Sequence, residues 1–137
     1  MNILVIDGMG GGIGKAVIEQ VVKQLPTATI MAVGTNYAAT ASMLKAGAHN
    51  AATGENPVIY NSAKATHIIG PLGIISPNAM HGEISPKMAL AISSSNAQKI
   101  LIPVDKCNIT VVSTQSAPLQ HHISQVINQL TSPSTLC

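Results

Sequence analysis

Apolar residues follow one another along this chain in two alternating rhythms. The first is a short unbroken run, Ile3-Leu4-Val5-Ile6, closed by Asp7 and a cluster of glycines. A run without polar alternation, bounded by turn residues, predicts a strand from Asn2 to Asp7 that is buried on both faces. The second rhythm is helical. Val17, Ile18, Val21, Val22 and Leu25 recur at steps of three and four, which predicts a helix from Ile13 to Leu25 that Pro26 stops.

The two rhythms then repeat. Strands are expected over Thr29 to Val33, His49 to Thr53, Thr66 to Gly70 and Lys99 to Val104, with a sixth on an edge from Asn108 to Ser113. Between them lies an Ala-rich helix from Tyr37 to Lys45, with Asn36 as its cap and Ala46-Gly47 as its close. Asn56-Pro57 reads as a cap followed by proline at the first helical position, and that helix runs to about Lys64. Ser85-Pro86 repeats the signal and opens a helix to about Asn96, with Glu83 just ahead as a helix-start acid. Ile123, Val126, Ile127 and Leu130 share one face of a last helix from Pro118 to Leu130. Regular strand–helix alternation implies α/β architecture: a single Rossmann-like domain over 1–130, with a mostly parallel sheet of five or six strands, helices on both faces and a loose tail at 131–137.

Composition narrows the partners. Hydrophobic residues make up 46% of the 137 positions and charged residues 9%, the reverse of a disordered chain. So little charge also favours self-association, a homo-oligomer and most simply a dimer, because an interface covers apolar surface. There is no Arg, Phe or Trp, only Tyr37 and Tyr60, and seven scattered lysines give a net charge of +2. Nucleic-acid binding would need basic runs and stacking aromatics, so it is not expected. No stretch approaches the ~18 apolar residues of a membrane span, and the first residues lack a signal peptide's basic flank. A cytoplasmic location follows, with Cys107 and Cys137 as free thiols.

In a parallel sheet the loops after the strands share one edge, where ligands of open α/β sheets bind. Here those loops are Asp7-Gly8-Met9-Gly10-Gly11-Gly12, then Gly34-Thr35-Asn36, then Thr53-Gly54-Glu55-Asn56, then Gly70-Pro71-Leu72-Gly73, and the residues around Cys107. Gly8, Gly12 and Gly14 have the spacing G-x-x-x-G-x-G between a strand and a helix, similar to the fingerprint of short-chain dehydrogenases. Glycine lets a phosphate approach the backbone, and unpaired N–H groups of a first helical turn, with the helix dipole, favour negative charge. The expected binding set is Asp7, Gly8, Gly10, Gly11, Gly12, Ile13, Gly14 and Lys15. A ribose or base would lie near Gly34, Thr35 and Asn36, opposite a wall of Gly70, Pro71 and Gly73. Thr53, Glu55, Asn56 and Cys107 form a possible additional site. Asp7 has two open roles: holding a ligand hydroxyl, or capping the loop's own N–H groups.

The ligand class stays broad. Gly11-Gly12-Ile13-Gly14-Lys15 resembles the core of a deviant Walker A loop, but Met9 and Ala16 replace the residues that NTP hydrolysis requires. No acid ends the second strand to hold ribose hydroxyls, which disfavours ordinary NAD binding; NADP, FAD or a mononucleotide remains. Tyr60 and Lys64 match the Y-x-x-x-K pair of short-chain dehydrogenases, yet fall far too early in the chain, and a solvent-facing pair is the better reading. The five histidines show no metal-ligand spacing. The expected function is thus a nucleotide or dinucleotide binder, reductase-like in one version, a non-catalytic ligand sensor or accessory subunit in the other.

From Met1 to about Ser113 the chain resembles an uncharacterised family of small bacterial proteins, a domain of unknown function. Leu4-Val5-Ile6-Asp7-Gly8, Gly10 to Lys15, Ala32-Val33-Gly34-Thr35-Asn36, Ala52 to Pro57, Ile69-Gly70-Pro71 and Ile100 to Val104 carry the likeness. It implies a Rossmann-like nucleotide-binding fold and no known activity.

Overall fold

Ile3, Leu4, Val5 and Ile6 are all buried because β1 (Asn2–Asp7) lies in the middle of a sheet with helices on either side. The computed structural model describes residues 1–104, 108–112 and 114–132. The order of elements is β1, α1 (Gly12–Gln24), β2 (Thr29–Gly34), α2 (Tyr37–Lys45), β3 (Asn50–Thr53), α3 (Glu55–Ser62), β4 (His67–Pro71), a 3-10 helix (Leu72–Ile75), α4 (Pro86–Ser94), β5 (Gln98–Ile102) and α5 (Leu119–Thr131). The five strands are all parallel, in the order β3-β2-β1-β4-β5. The fold is α/β, as the alternation predicted.

Strand side chains alternate between the two faces, so β1 feeds two cores at once. Ile3 and Val5 pack with Val17, Ile18 and Val21 of α1, Met43 of α2, and Ile123 and Ile127 of α5. Leu4 and Ile6 pack with Val58 of α3, Ile74, and Met88 and Ile92 of α4. Each such side chain contributes about 1.5–3 kcal/mol by leaving water. The small-residue and aliphatic composition fits layers this close.

Several boundaries move for identifiable reasons. The α3 cap is Gly54 at φ 105°, not Asn56, because the chain turns at the glycine and Glu55 is already helical. β5 stops at Ile102, before Pro103, which has no N–H for a ladder. Asn36 and Ser85 do cap α2 and α4, accepting from the Ala39 and Met88 N–H groups. No strand forms over residues 108–112, although Ile109, Val111 and Val112 are β-branched: they are exposed and lack a partner strand. The sheet therefore has five strands. Among the described residues no helix is long and apolar enough to cross a membrane.

β2 and β3 are added on one side of β1, and β4 and β5 on the other. The chain reverses direction between β1 and β4, and a crevice opens outside the carboxyl ends of strands at such a point. The glycine loop leaves β1 there.

Candidate functional site

Asp7 ends β1 and is buried under the glycine loop. Its carboxylate accepts the Gly8 N–H on Oδ1 (2.8 Å) and the Gly14 N–H on Oδ2 (2.7 Å). Gly14 is the third residue of α1, so Asp7 does the work of a cap from the preceding strand; α1 has no side-chain cap of its own. Of the two roles open to Asp7, capping the loop's own N–H groups is the one the geometry displays. Burial pushes its pKa up more than the hydrogen bonds from the Gly14, Gly8 and Ile13 N–H groups bring it down, and the charge of Glu83 adds to the rise.

The loop's glycines divide into two kinds. A Cβ on Gly8 would lie 2.5 Å from Glu83 Oε2 and 2.6 Å from Thr35 Oγ1. Gly11 takes φ 73° and presses on the Ala39 backbone, and a Cβ on Gly14 would overlap Met43 and crowd Asp7. Those three are demanded by the fold. Around Gly10 and Gly12 a Cβ would meet nothing within 4 Å, and neither has a positive φ. Among the described residues, no acceptor takes the N–H of either. The site thus presents two bare glycines and free N–H groups at the N-terminus of a 13-residue helix. Lys15 follows them with an exposed side chain 4.0 Å from Glu19.

On the β2 side the loop meets Thr35 and Asn36. The Thr35 N–H donates to the Asp7 carbonyl (3.0 Å), and the Asn36 amide donates to the Met9 carbonyl (2.9 Å). Both side chains also converge on Glu83, which comes from the loop before α4. Glu83 accepts from the Thr35 hydroxyl, the Met9 N–H (3.0 Å) and the Asn36 amide (3.1 Å). Desolvation pushes its carboxyl up, but the Thr35, Met9 and Asn36 hydrogen bonds, with the charge of His81, bring it below the usual carboxylate range.

On the β5 side a cavity of about 460 Å³ opens beside the loop. Ile13 of α1, Ile102 at the end of β5, Pro103 and Val104 after it, residues 114–117, and Leu119 and His122 of α5 line it. Its volume is in the range of small-molecule sites. Two further hollows continue along β5 and α5 and share Pro103 and His122.

A family model described as a domain of unknown function, DUF3842, matches residues 2–135. The chain belongs to the DUF3842 family. No curated protein and no solved structure matches it.

In this DUF3842 domain the residues expected at the strand ends separate into groups. Asp7 to Lys15 and Gly34 to Asn36 come together at the ends of β1 and β2. Gly34 is packed so tightly against Thr40 of α2 that a Cβ would overlap it. Gly70, Pro71 and Gly73 are buried, with Gly70 against the Ile6 carbonyl and Ile74, and they do not line the cavity beside the loop. Thr53 and Glu55 lie at the end of β3, where Thr53 meets the Thr40 hydroxyl (2.6 Å) and Glu55 accepts from the Ser85 hydroxyl (2.5 Å). Asn56 is exposed in the first turn of α3. Cys107 lies outside the described residues, as do 133–137 of the expected tail. Tyr60 and Lys64 touch each other, the ammonium 3.6 Å from the ring centre. Lys64 shares a hollow with Asn2 and Thr29, which open β1 and β2. The pair therefore sits at the amino edge of the sheet, opposite the glycine loop. Glu83 is the site residue that local spacing left out. It was expected as a helix-start acid, but α4 has no acid in its first turn, and the Glu83 carboxylate turns to Met9, Thr35 and Asn36 instead; the indirect signal was the acid missing after β2.

Proposed function

We propose that this domain binds a nucleotide or dinucleotide, its phosphate on the N–H groups of Gly10 and Gly12. One observation carries the reading: these two glycines have neither a packing nor a conformational reason to be glycine. Gly at a helical position such as Gly12 costs up to about 1 kcal/mol against Ala, and Gly10, in the turn before α1, has no left-handed backbone that requires it, so both make sense where a ligand must touch the backbone. The dipole of α1 and the switch point between β1 and β4 favour the same spot. The cavity walled by Ile13, Ile102, Pro103 and Val104 gives one arm of the ligand an apolar bed.

Among the described residues the cavity lining has one titratable side chain, His122. Turnover of the bound ligand separates a reductase-like enzyme from a sensor or an accessory subunit. A dye-based thermal-shift panel of NAD(H), NADP(H), FAD, FMN, ATP, GTP and inorganic phosphate tests the reading. Ligand at a hundred times its Kd adds about 2.7 kcal/mol. The expected result is a shift with at least one nucleotide that is lost in Gly12→Val, whose own Tm stays near that of the parent because the space is open. Full binding by a folded Gly12→Val protein, or no shift with any nucleotide, overturns the assignment.

A further inference from the structure

We infer that Glu83 is the ribose-recognising acid of this site, selecting a sugar with free hydroxyls over one bearing a 2′-phosphate. The inference rests on the nucleotide reading of the glycine loop. A nucleotide whose phosphate lies on Gly10 and Gly12 has its sugar beside the loop that follows β2, where an acid commonly meets the hydroxyls. The loop itself supplies none: its residues are Gly34, Thr35 and Asn36. Glu83 fills the position from 48 residues further on.

Three donors from two loops hold the carboxylate there. The Met9 N–H belongs to the glycine loop, the Thr35 hydroxyl and Asn36 amide to the loop after β2. Gly8 lacks a side chain where Glu83 and Met80 press against it. The carrying loop is tightly wound. Asn78, Met80 and His81 have φ of 67°, 57° and 57°, and backbone bonds from Asn78 to Ile84 (2.7 Å) and from Glu83 to Met80 (3.1 Å) pin it. Side chains in left-handed backbone persist where the surroundings enforce them.

A carboxylate has about four acceptor positions. Among the described residues, Oε2 accepts from Met9 and Thr35, with Asn36 at 3.4 Å, while Oε1 accepts from Asn36 alone. Oε1 therefore keeps capacity for a hydroxyl donor, and the half-exposed side chain leaves it reachable. A sugar hydroxyl donates a proton to that oxygen. A phosphate at the same place brings a second anion, with the Asp7 carboxyl beneath the loop and no Arg anywhere in the chain to offset it.

The test measures Kd by titration calorimetry for NAD⁺ against NADP⁺ and for ADP against 2′-deoxyADP, with the parent protein and Glu83→Gln. In the parent, the 2′-phosphate and loss of the 2′-hydroxyl are each expected to weaken binding about tenfold or more, the scale of a hydrogen bond to a charged group. In Glu83→Gln, which keeps the length and one acceptor, both ratios should fall to about two or three. Equal affinities in the parent, tighter NADP⁺, or ratios unchanged in a folded Glu83→Gln protein overturn the inference while leaving the glycine-loop reading in place. No binding of any nucleotide overturns both. Equal affinities or tighter NADP⁺ in the parent overturn the inference even if the variant fails to fold.

Discussion

Each glycine of the loop makes a different claim, and substitution separates them. Gly12→Ala adds a methyl into open space and removes the entropy cost of glycine at a helix start, so the unliganded protein should gain up to about 1 kcal/mol. Gly11→Ala forces a side chain into left-handed backbone against Ala39, and Gly14→Ala pushes on Met43 and Asp7; both should destabilise by about 1–3 kcal/mol. Urea denaturation of the three variants reads this directly. A loss for Gly12→Ala as large as for the others would mean that the fold, not a ligand, requires all the glycines. Asp7 gives a second prediction, in pH. Burial raises its carboxyl pKa above the ordinary 3.8, so the folded state holds the proton more tightly than the unfolded chain. Its contribution is fully present below about pH 3.8 and is lost as pH rises through the raised value. Glu83 runs the other way: its contribution is present above the ordinary 4.5 and is lost as pH falls through the lowered value. Thermal unfolding across pH should therefore show the stability of the parent falling relative to that of Asp7→Asn as pH rises. A parent that gains on the variant as pH rises would contradict the burial of an ionisable Asp7.

Elements were legible wherever the signal was local. The run Ile3 to Ile6 and the cap residues Asn36 and Ser85 fixed β1, α2 and α4 to within a residue or two, because burial and capping act over a few positions. What failed depended on partners distant in sequence. Residues 108–112 have strand composition but pair with nothing, since strand formation is decided by the neighbour and not by the side chains alone. Asn56-Pro57 has a cap's composition, yet Gly54 makes the turn, because a backbone at φ 105° needs glycine more than the helix needs an Asn. At the site, the glycine loop was readable and its counterpart was not. Thr35 and Asn36 looked like ribose ligands; the structure joins them to Glu83, across a separation that no periodicity records. The wall expected from Gly70 to Gly73 is core, and the cavity lies one strand over, beside β5. Loops that share a sheet edge are a correct inference from parallel strands, but which of them face the same cavity depends on strand order.

At the scale of the whole molecule, a sheet with two edges unpaired among the described residues and a chain with few charges leads to a prediction about association. β3 and β5 each pair on one side only. On the connection between β5 and α5, the exposed Ile109, Val111 and Val112 — Val112 at 85% exposure — offer β-branched side chains without a partner strand. Unpaired sheet edges and exposed apolar side chains invite pairing with another chain. A net charge of +2 opposes association only weakly. The expected outcome is a homodimer, with a light-scattering mass near twice 14.1 kDa. Val111→Lys combined with Val112→Lys should shift that mass toward the monomer without lowering Tm beyond the loss of the dimer's own contribution, because neither side chain belongs to either core. If the parent is monomeric at high micromolar concentration, exposed 108–112 is simply a solvated connection between β5 and α5. If the double variant stays dimeric, the interface lies elsewhere. The helical layer carrying the exposed Leu90 is then the next surface to change.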